Sequence, residues 1–135
     1  MQYFLAKTEP SVYSIDELEK LGEDYWDGVN NPQANNFIKQ MRGGDIVLIY
    51  HSGTGEPAIV GTAKVIRQAE ADKKNPKSFV PWFKFVRKFD TPVSLKEIKE
   101  SHLFDDWYLV KQGRLSTMSV PENFINWLKT KGIKI

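Results

Sequence analysis

The chain has 135 residues, of which 41% are hydrophobic and 27% charged, so it is long enough for one domain with a sizeable core. A net charge of +2 without a polybasic run argues against a protein that coats duplex nucleic acid, although it permits an anionic ligand. Cysteine is absent, which excludes disulfides and thiolate–zinc sites, and His51 and His102 are far apart. We therefore expect no metal and no other cofactor.

The chain begins with MQYFLAKTEP, in which residues 3–6 predict a short strand that stops by Pro10. This segment lacks the apolar core and cleavage site of a signal peptide. No run in the sequence approaches the roughly 18 apolar residues of a membrane span. We therefore expect a cytoplasmic, monomeric protein without a membrane partner.

Two helices are predicted next. Ser14 and Glu17 form a capping-box pattern, which predicts a helix as far as Leu21. Asn31 precedes Pro32, which suits the first turn of a second helix because its missing N–H costs nothing there. That helix carries an apolar stripe at the i, i+3, i+4 and i+7 positions of residues 34–41 and should end at the two glycines that follow.

The rest of the chain predicts a sheet with further helices. Residues 46–50, 59–66 and 82–87 predict three strands, with a loop at 51–57 between the first two. Another capping box predicts a short helix after Ser94, and helical spacing predicts a last helix at 122–131. Strands at 109–110 and 115–120 would close the sheet. This order, without regular alternation of strands and helices, predicts an α+β barrel rather than a parallel sheet.

Four segments carry a resemblance to a known family. They are KTEP at residues 7–10, WDGVNNPQANN at 26–36, YHS with EPAIVG at 50–61, and RLS at 114–116. In this order and spacing, the chain resembles the EVE domain family. The resemblance implies one domain over residues 1–135 with a PUA-like β-barrel of five or six mostly antiparallel strands and peripheral helices. It also implies a non-enzymatic module that holds a modified base of DNA or RNA in an aromatic-walled pocket.

The sequence departs from the family pattern at three positions. Thr8 stands where the family usually has serine, and this change keeps the hydroxyl. Asn30 and Asn35 stand where many members carry arginine, so two cations that would contact phosphates are missing. The departures therefore argue against strong polynucleotide binding more than they argue against a base-binding pocket.

The candidate pocket residues begin with Trp26, which lies in a polar, turn-prone setting and could stack on a base or cover the end of the barrel. The turn after the first strand offers an amine, a hydroxyl and a carboxylate for a base edge, stiffened by proline; these residues are Lys7, Thr8, Glu9 and Pro10. Asn30 and Gln33 offer amide donors and acceptors suited to a base edge, while Asn31 is expected to cap the helix.

Further candidates lie on later segments. Tyr50 could be half core and half pocket wall, and His51 with Ser52 could meet a phosphate or simply satisfy a turn. Trp82 lies on the opposite strand face from its neighbours Phe83 and Phe85, so it could form a second wall. Arg114, close to Ser116 in the RLS segment, could bind a phosphate or pair with Glu9 or Asp27 inside the fold. Trp107 and Trp127 are assigned to packing.

Two other functions remain open at this point. ASCH-like relatives of the implied barrel include amidohydrolases that use neighbouring lysine, threonine and glutamate, and Lys7, Thr8 and Glu9 match those types. Consecutive strand residues point to opposite faces, however, so Lys7 and Thr8 would need a turn to converge. The third possibility, which the missing arginines favour, is a sensor of a free nucleotide or small metabolite.

Overall fold

The structure is a computed structural model that describes residues 1–53 and 55–135. Its elements, in chain order, are β1 (Tyr3–Thr8), α1 (Ile15–Leu21), β2 (Glu23–Tyr25), α2 (Pro32–Gln40), β3 (Ile46–His51), β4 (Ala58–Ala71), β5 (Phe79–Ser94), α3 (Leu95–Ser101), α4 (Tyr108–Lys111), β6 (Thr117–Ser119) and α5 (Glu122–Thr130).

The six strands form one mixed sheet in the order β2-β5-β4-β3-β1-β6. Within the described residues, β1 and β3 are the one pair of parallel strands, with Lys7 opposite Tyr50, and a parallel pair needs a long crossover. Residues 9–45 supply that crossover and carry α1, β2 and α2. The predicted α+β fold with five or six mostly antiparallel strands is confirmed, although no ladder joins β2 to β6 within the described part of the chain.

Local sequence signals placed several helix starts correctly. The Ser14 hydroxyl and the Glu17 carboxylate form the reciprocal capping box at α1. Asn31 caps α2 by accepting the backbone N–H of Ala34 at 3.0 Å, and the Ser94 hydroxyl accepts the N–H of Glu97 at 3.1 Å to cap α3. These caps depend on neighbours within one turn, so they need no tertiary information.

Other boundaries were wrong. Residues 109–110 lie in the short helix α4 rather than in a strand. The three-residue strand β2 was not predicted, because Glu23–Tyr25 becomes a strand only by pairing with Trp82–Lys84 of β5. His51 belongs to β3 rather than to the predicted loop, and Thr54 of that loop lies outside the described residues.

Helix α1 docks closely on the sheet at Gly61. A Cβ atom at Gly61 would clash with the Ile15 side chain and with the backbone carbonyl of Arg87 on β5. The glycine therefore allows α1 to pack directly on β4. The backbone N–H of the same Ile15 donates to Nε2 of His51, the last residue of β3, at 3.1 Å.

The core is closed at one end by an aromatic cluster around α5. Phe124 is fully buried, and its ring centroid lies 4.6 Å from that of Trp107 and 5.0 Å from that of Phe104. Trp127 is half-buried on the same helix, with its centroid 5.5 Å from Phe124. Both tryptophans that were assigned to packing therefore pack in this cluster.

We predict that Phe124→Ala lowers the free energy of unfolding by about 3–5 kcal/mol, because it leaves a cavity among rings that cannot collapse into it. Trp127→Ala should cost less, because part of that side chain is already in solvent. Urea unfolding of both variants measures the difference. A larger loss for Trp127→Ala than for Phe124→Ala would contradict this description of the cluster.

Candidate functional site

A recess of about 520 Å³ opens where the ends of β1 and β2 meet the segment leading into α2. We call it the aromatic recess because three aromatic side chains line it. Its lining residues are Lys7, Thr8, Val12, Tyr13, Tyr25, Trp26, Asp27, Gly28, Val29, Asn30, Asn31 and Ser116. The volume lies within the range of about 300–1,000 Å³ that is typical of small-molecule sites.

The Trp26 ring is the centre of the aromatic wall. Its centroid lies 5.3 Å from that of Tyr13 in an edge-to-face arrangement. On another side it lies 5.4 Å from the ring of Phe83, which is buried in the core. Trp26 is half-buried, so it is anchored by the core while it lines the recess.

Asp24 orients two of the lining tyrosines. One carboxylate oxygen accepts the Tyr13 hydroxyl at 2.7 Å, and the other accepts the backbone N–H of Tyr25 at 2.8 Å. Burial raises the pKa of Tyr13, and the hydrogen bond to Asp24 raises it further. Tyr13 is therefore a neutral hydroxyl whose proton is directed to Asp24, and its ring is held in a fixed position.

The segment that continues from Trp26 to Asn31 also lines the recess as a second wall, and it is irregular backbone fastened to β5 and to the turn before it. The Trp26 N–H donates to the Pro81 carbonyl at 3.0 Å. The Ser78 hydroxyl donates to the Val29 carbonyl at 2.7 Å, and the Asn75 amide donates to Oδ1 of Asn30 at 3.2 Å. Gly28 has a φ of 82°, which a residue with a side chain rarely adopts.

Asn35 completes the attachment of this wall from inside the protein. Its side chain is only 2% exposed. The amide nitrogen donates to the carbonyls of Val29 at 2.8 Å and Asn31 at 3.2 Å, and the amide oxygen accepts the N–H of Phe79 at 2.9 Å. Asn35 is therefore a buried connection between α2, the wall and β5.

The polar end of the recess comes from β1 and the loop before β6. Lys7 Nζ donates to the Gly113 carbonyl at 2.8 Å and lies 5.4 Å from the centroid of the Tyr50 ring. Burial lowers the pKa of Lys7. The Thr8 hydroxyl donates to the Tyr13 carbonyl at 2.7 Å, and Ser116 accepts the Lys7 N–H through its own carbonyl.

The structure brings together five of the predicted site residues around the recess: Lys7, Thr8, Trp26, Asn30 and Ser116. The others do not line it. Glu9 is exposed and Pro10 half-buried in the turn after β1, and Gln33 is half-buried in the first turn of α2. Arg114 is exposed, and no ion pair joins it to Glu9 or Asp27 in the described part of the chain.

The residues of the YHS segment, 50–52, do not line the recess but pack in the core or contact the backbone of β1 and α1. Tyr50 is 3% exposed, so it is core rather than wall, and burial raises its pKa to about 12. His51 is half-buried, and its Nε2 accepts the N–H of Ile15 at the start of α1. Ser52 donates its N–H to the Thr8 carbonyl at 2.9 Å. These residues fix the ends of β1 and α1 rather than reach the recess.

Trp82 lies on the outer side of the β2–β5 pair. It faces away from Phe83, as predicted, but its neighbours are Tyr25 and Arg67 instead of the recess. The Tyr25 centroid lies 5.5 Å from the Trp82 ring, and the Arg67 guanidinium lies 4.9 Å from it. Trp82 thus supports the Tyr25 wall from outside.

Sequence reasoning missed Tyr13 and Tyr25 as walls. Tyr13 follows the KTEP turn and reaches the recess because that turn folds back, with its backbone N–H donating to the Glu9 carbonyl at 2.8 Å. Tyr25 adjoins Trp26 in a segment that looked polar. Both could have been predicted from their position in the sequence, because Tyr13 lies three residues after the KTEP segment and Tyr25 directly precedes the segment 26–36.

A larger groove of about 670 Å³ runs between β5 and the residues after α5. Among the residues that the structure describes, one aromatic side chain, Phe89, lines it. Two of its lysines are already paired: Lys88 bridges Asp16, and Lys131 bridges Glu97. The aromatic recess is therefore the stronger candidate for a planar ligand.

Within residues 1–53 and 55–135, histidine, aspartate and glutamate side chains do not form a group of three that could hold a metal ion. No helix in the same ranges is both long and apolar enough to cross a membrane.

The structure defines a mixed-sheet α+β domain with an aromatic-walled recess. The sequence profile of the EVE domain matches residues 2–130, and the chain belongs to the EVE domain family. Thymocyte nuclear protein 1 of Gallus gallus is 32% identical over 75% of this chain and 53% of its own length. The Danio rerio protein of the same name is 32% identical over 87% and 61%. The chain thus spans between about half and three fifths of these relatives.

Solved structures show the same fold. A Leishmania major protein superposes with a TM-score of 0.87 at 33% identity, covering 98% of this chain and 96% of its own. A Pseudomonas syringae protein gives 0.86 at 35%, covering 95% and 98%. Human THYN1 protein, in complex with DNA containing 5-methylcytosine, gives 0.88 at 25%, covering 100% and 99%.

The position of His51 predicts a pH dependence of stability. Burial lowers its pKa from the ordinary 6.5, and the neighbouring Lys88 adds to that effect while Asp16 opposes it. Above about pH 6.5 the imidazole is neutral in both the folded and the unfolded chain. As the pH falls below that value, the unfolded chain takes up a proton that the folded chain resists, so stability decreases until the folded pKa is reached.

As the pH falls below about 6.5, we therefore expect the melting temperature of the wild type to decrease more steeply than that of His51→Gln. The glutamine oxygen can still accept the Ile15 N–H but does not titrate. His102→Asn, at an exposed position with φ 56°, controls for the removal of one imidazole and should retain the wild-type decline. Identical profiles for wild type and His51→Gln would show that His51 does not couple protonation to folding.

Proposed function

We propose that this chain binds one modified base of a nucleic acid in the aromatic recess and catalyses no reaction on it. The observation that carries the proposal is the recess itself, which is lined both by the aromatic residues Tyr13, Tyr25 and Trp26 and by the polar residues Lys7 and Asn30. Human THYN1 protein, which shares the fold, was crystallised with DNA containing 5-methylcytosine. Cytosine modified at C5 is therefore the first base to test.

The chemistry of the walls suits a nucleobase. Stacking on an aromatic ring accepts any base, because every base has a π face, and is worth roughly 1–3 kcal/mol per base. The edge of the base would be read by the Lys7 ammonium and the Asn30 amide, whose nitrogen can still donate while its oxygen accepts from Asn75. A base in a duplex must leave the stack to enter such a recess, which costs a few kcal/mol.

The arrangement of Lys7 and Thr8 argues against an amidohydrolase. A nucleophilic hydroxyl needs a base within hydrogen-bond reach. The Thr8 hydroxyl instead donates to the Tyr13 carbonyl, and Lys7 donates to the Gly113 carbonyl. Glu9 is exposed in the following turn. The lowered pKa of Lys7 would suit a general base, but its amine and the Thr8 hydroxyl are held by different carbonyls.

The stacking proposal is tested with Trp26→Ala. Affinity for an oligonucleotide with one 5-methylcytosine should fall by roughly 5- to 150-fold, the equivalent of about 1–3 kcal/mol. Because Trp26 also packs on Phe83, the variant will lose some stability, so binding is measured by calorimetry at a temperature where circular dichroism shows it folded.

Trp127→Ala is the matched control for this test, since it removes the same ring outside the recess. It should bind like the wild type once folded. Equally weakened binding in both variants, or undiminished affinity in folded Trp26→Ala, would sink the proposal that Trp26 stacks on the base.

The absence of catalysis is tested with N-acylated cytidines, which carry the amide bond that an ASCH-like hydrolase would cleave. We expect no release of the acyl group above the rate of the uncatalysed reaction. Chromatography of the products measures it. If the wild type hydrolyses these substrates and Thr8→Val or Lys7→Gln does not, the protein is an amidohydrolase and the proposal of a non-enzymatic binding module is wrong.

A further inference from the structure

We propose that the turn joining β4 to β5, residues 72–78, binds phosphates of the strand whose base enters the aromatic recess. We call it the basic turn, because it carries Lys73, Lys74 and Lys77. The inference rests on the proposed function and extends it, since it makes a polynucleotide rather than a free nucleoside the preferred ligand.

The first support is position, because the basic turn is attached to the rim of the recess. Asn75, in the middle of the turn, donates to Asn30 on the rim at 3.2 Å. Ser78, at its end, donates to the Val29 carbonyl at 2.7 Å, and both Asn30 and Val29 line the recess. The backbone of a nucleic acid with one base in the recess would therefore pass close to the basic turn.

The second support is charge. The turn has three lysines and one aspartate, and all three lysines are exposed. None of them belongs to an ion pair found among the described residues. The aspartate, Asp72, accepts the backbone N–H of Lys74 at 2.9 Å, so its charge is partly engaged within the turn. The lysines are thus available to a phosphate, unlike Lys88 and Lys131 in the groove between β5 and α5.

The third support is the fixed conformation of the turn. The Asp72 N–H donates to the Ser78 carbonyl at 2.8 Å, and the Ser78 N–H donates to the Asn75 carbonyl at 2.9 Å. The Asn75 side chain also accepts the Lys77 N–H at 3.2 Å. A turn held in this way loses less conformational entropy on binding than a free loop would.

The surface continues from the turn onto helix α2. The Lys39 ammonium lies 4.7 Å from the centroid of Phe79, the first residue of β5 after the turn. Lys39 is exposed and belongs to none of the ion pairs in the described residues. A cation on a second element therefore lies next to the end of the basic turn, which suits an extended polyanion better than a single small anion.

The experiment compares the triple variant Lys73→Gln, Lys74→Gln, Lys77→Gln with a charge-matched control. The control is Lys96→Gln, Lys99→Gln, Lys129→Gln, which removes three exposed lysines from α3 and α5, outside the recess and the turn. Dissociation constants are measured at several salt concentrations for a duplex with one 5-methylcytosine, the same duplex unmodified, and free 5-methylcytidine.

The basic-turn variant should bind both duplexes more weakly at low salt. Its slope of log affinity against log salt should be shallower by about 0.9 for each phosphate that the lysines no longer neutralise. Its affinity for the free nucleoside and its ratio of modified to unmodified binding should equal those of the wild type. The control variant should keep the wild-type slope.

A salt slope in the basic-turn variant equal to that of the wild type, or equally weakened binding in both triple variants, would overturn the inference. The proposed function fails separately: a wild type that binds modified and unmodified duplexes equally at every salt concentration has no modified-base site. Even then, the slopes of log affinity against log salt for the two triple variants would show whether the basic turn binds phosphates.

Discussion

The recess depends on one backbone group, the carbonyl of Val29. It accepts hydrogen bonds from two buried side chains, the Asn35 amide and the Ser78 hydroxyl. A buried carbonyl in an irregular segment costs free energy unless it is paired, and these two donors come from α2 and from the turn that leads into β5. The wall therefore takes its shape only when helix and strand are both in place, and it needs neither a helix nor a strand of its own.

The same principle accounts for the rigidity of the aromatic side. Trp26 is held by a backbone bond to Pro81 and by its contact with Phe83, while Asp24 directs Tyr13. Each ring is fixed by groups outside the recess, so that its lining face remains available. Preorganised aromatic walls lose little side-chain entropy when a planar ligand enters, which favours selective binding without a mobile loop.

A structural feature could be predicted from the sequence when the residues that form it are close together along the chain. Helix caps at Ser14, Asn31 and Ser94 were predictable because they involve residues three apart. Strand β2 and the inward placement of Tyr50 were not, because they depend on pairing with distant strands. Around the recess, the family pattern indicated Trp26, Lys7 and Thr8, whereas Glu9 and Pro10 of the same pattern do not line it. Asn35 was interpreted as a missing cation, yet its buried amide makes three hydrogen bonds that only the folded chain reveals.

Asn30 and Asn35 show how two similar departures from a family pattern differ in physical meaning. Asn35 faces inward and supports the wall, so it contributes to the stability of the fold. Asn30 is exposed on the rim and accepts from Asn75, so it joins the basic turn to the recess. Stacking and amide hydrogen bonds release no counterions, whereas lysine–phosphate contacts do. Discrimination between bases and attraction to the backbone would then reside in adjacent but chemically separate groups, and salt would weaken the second without altering the first.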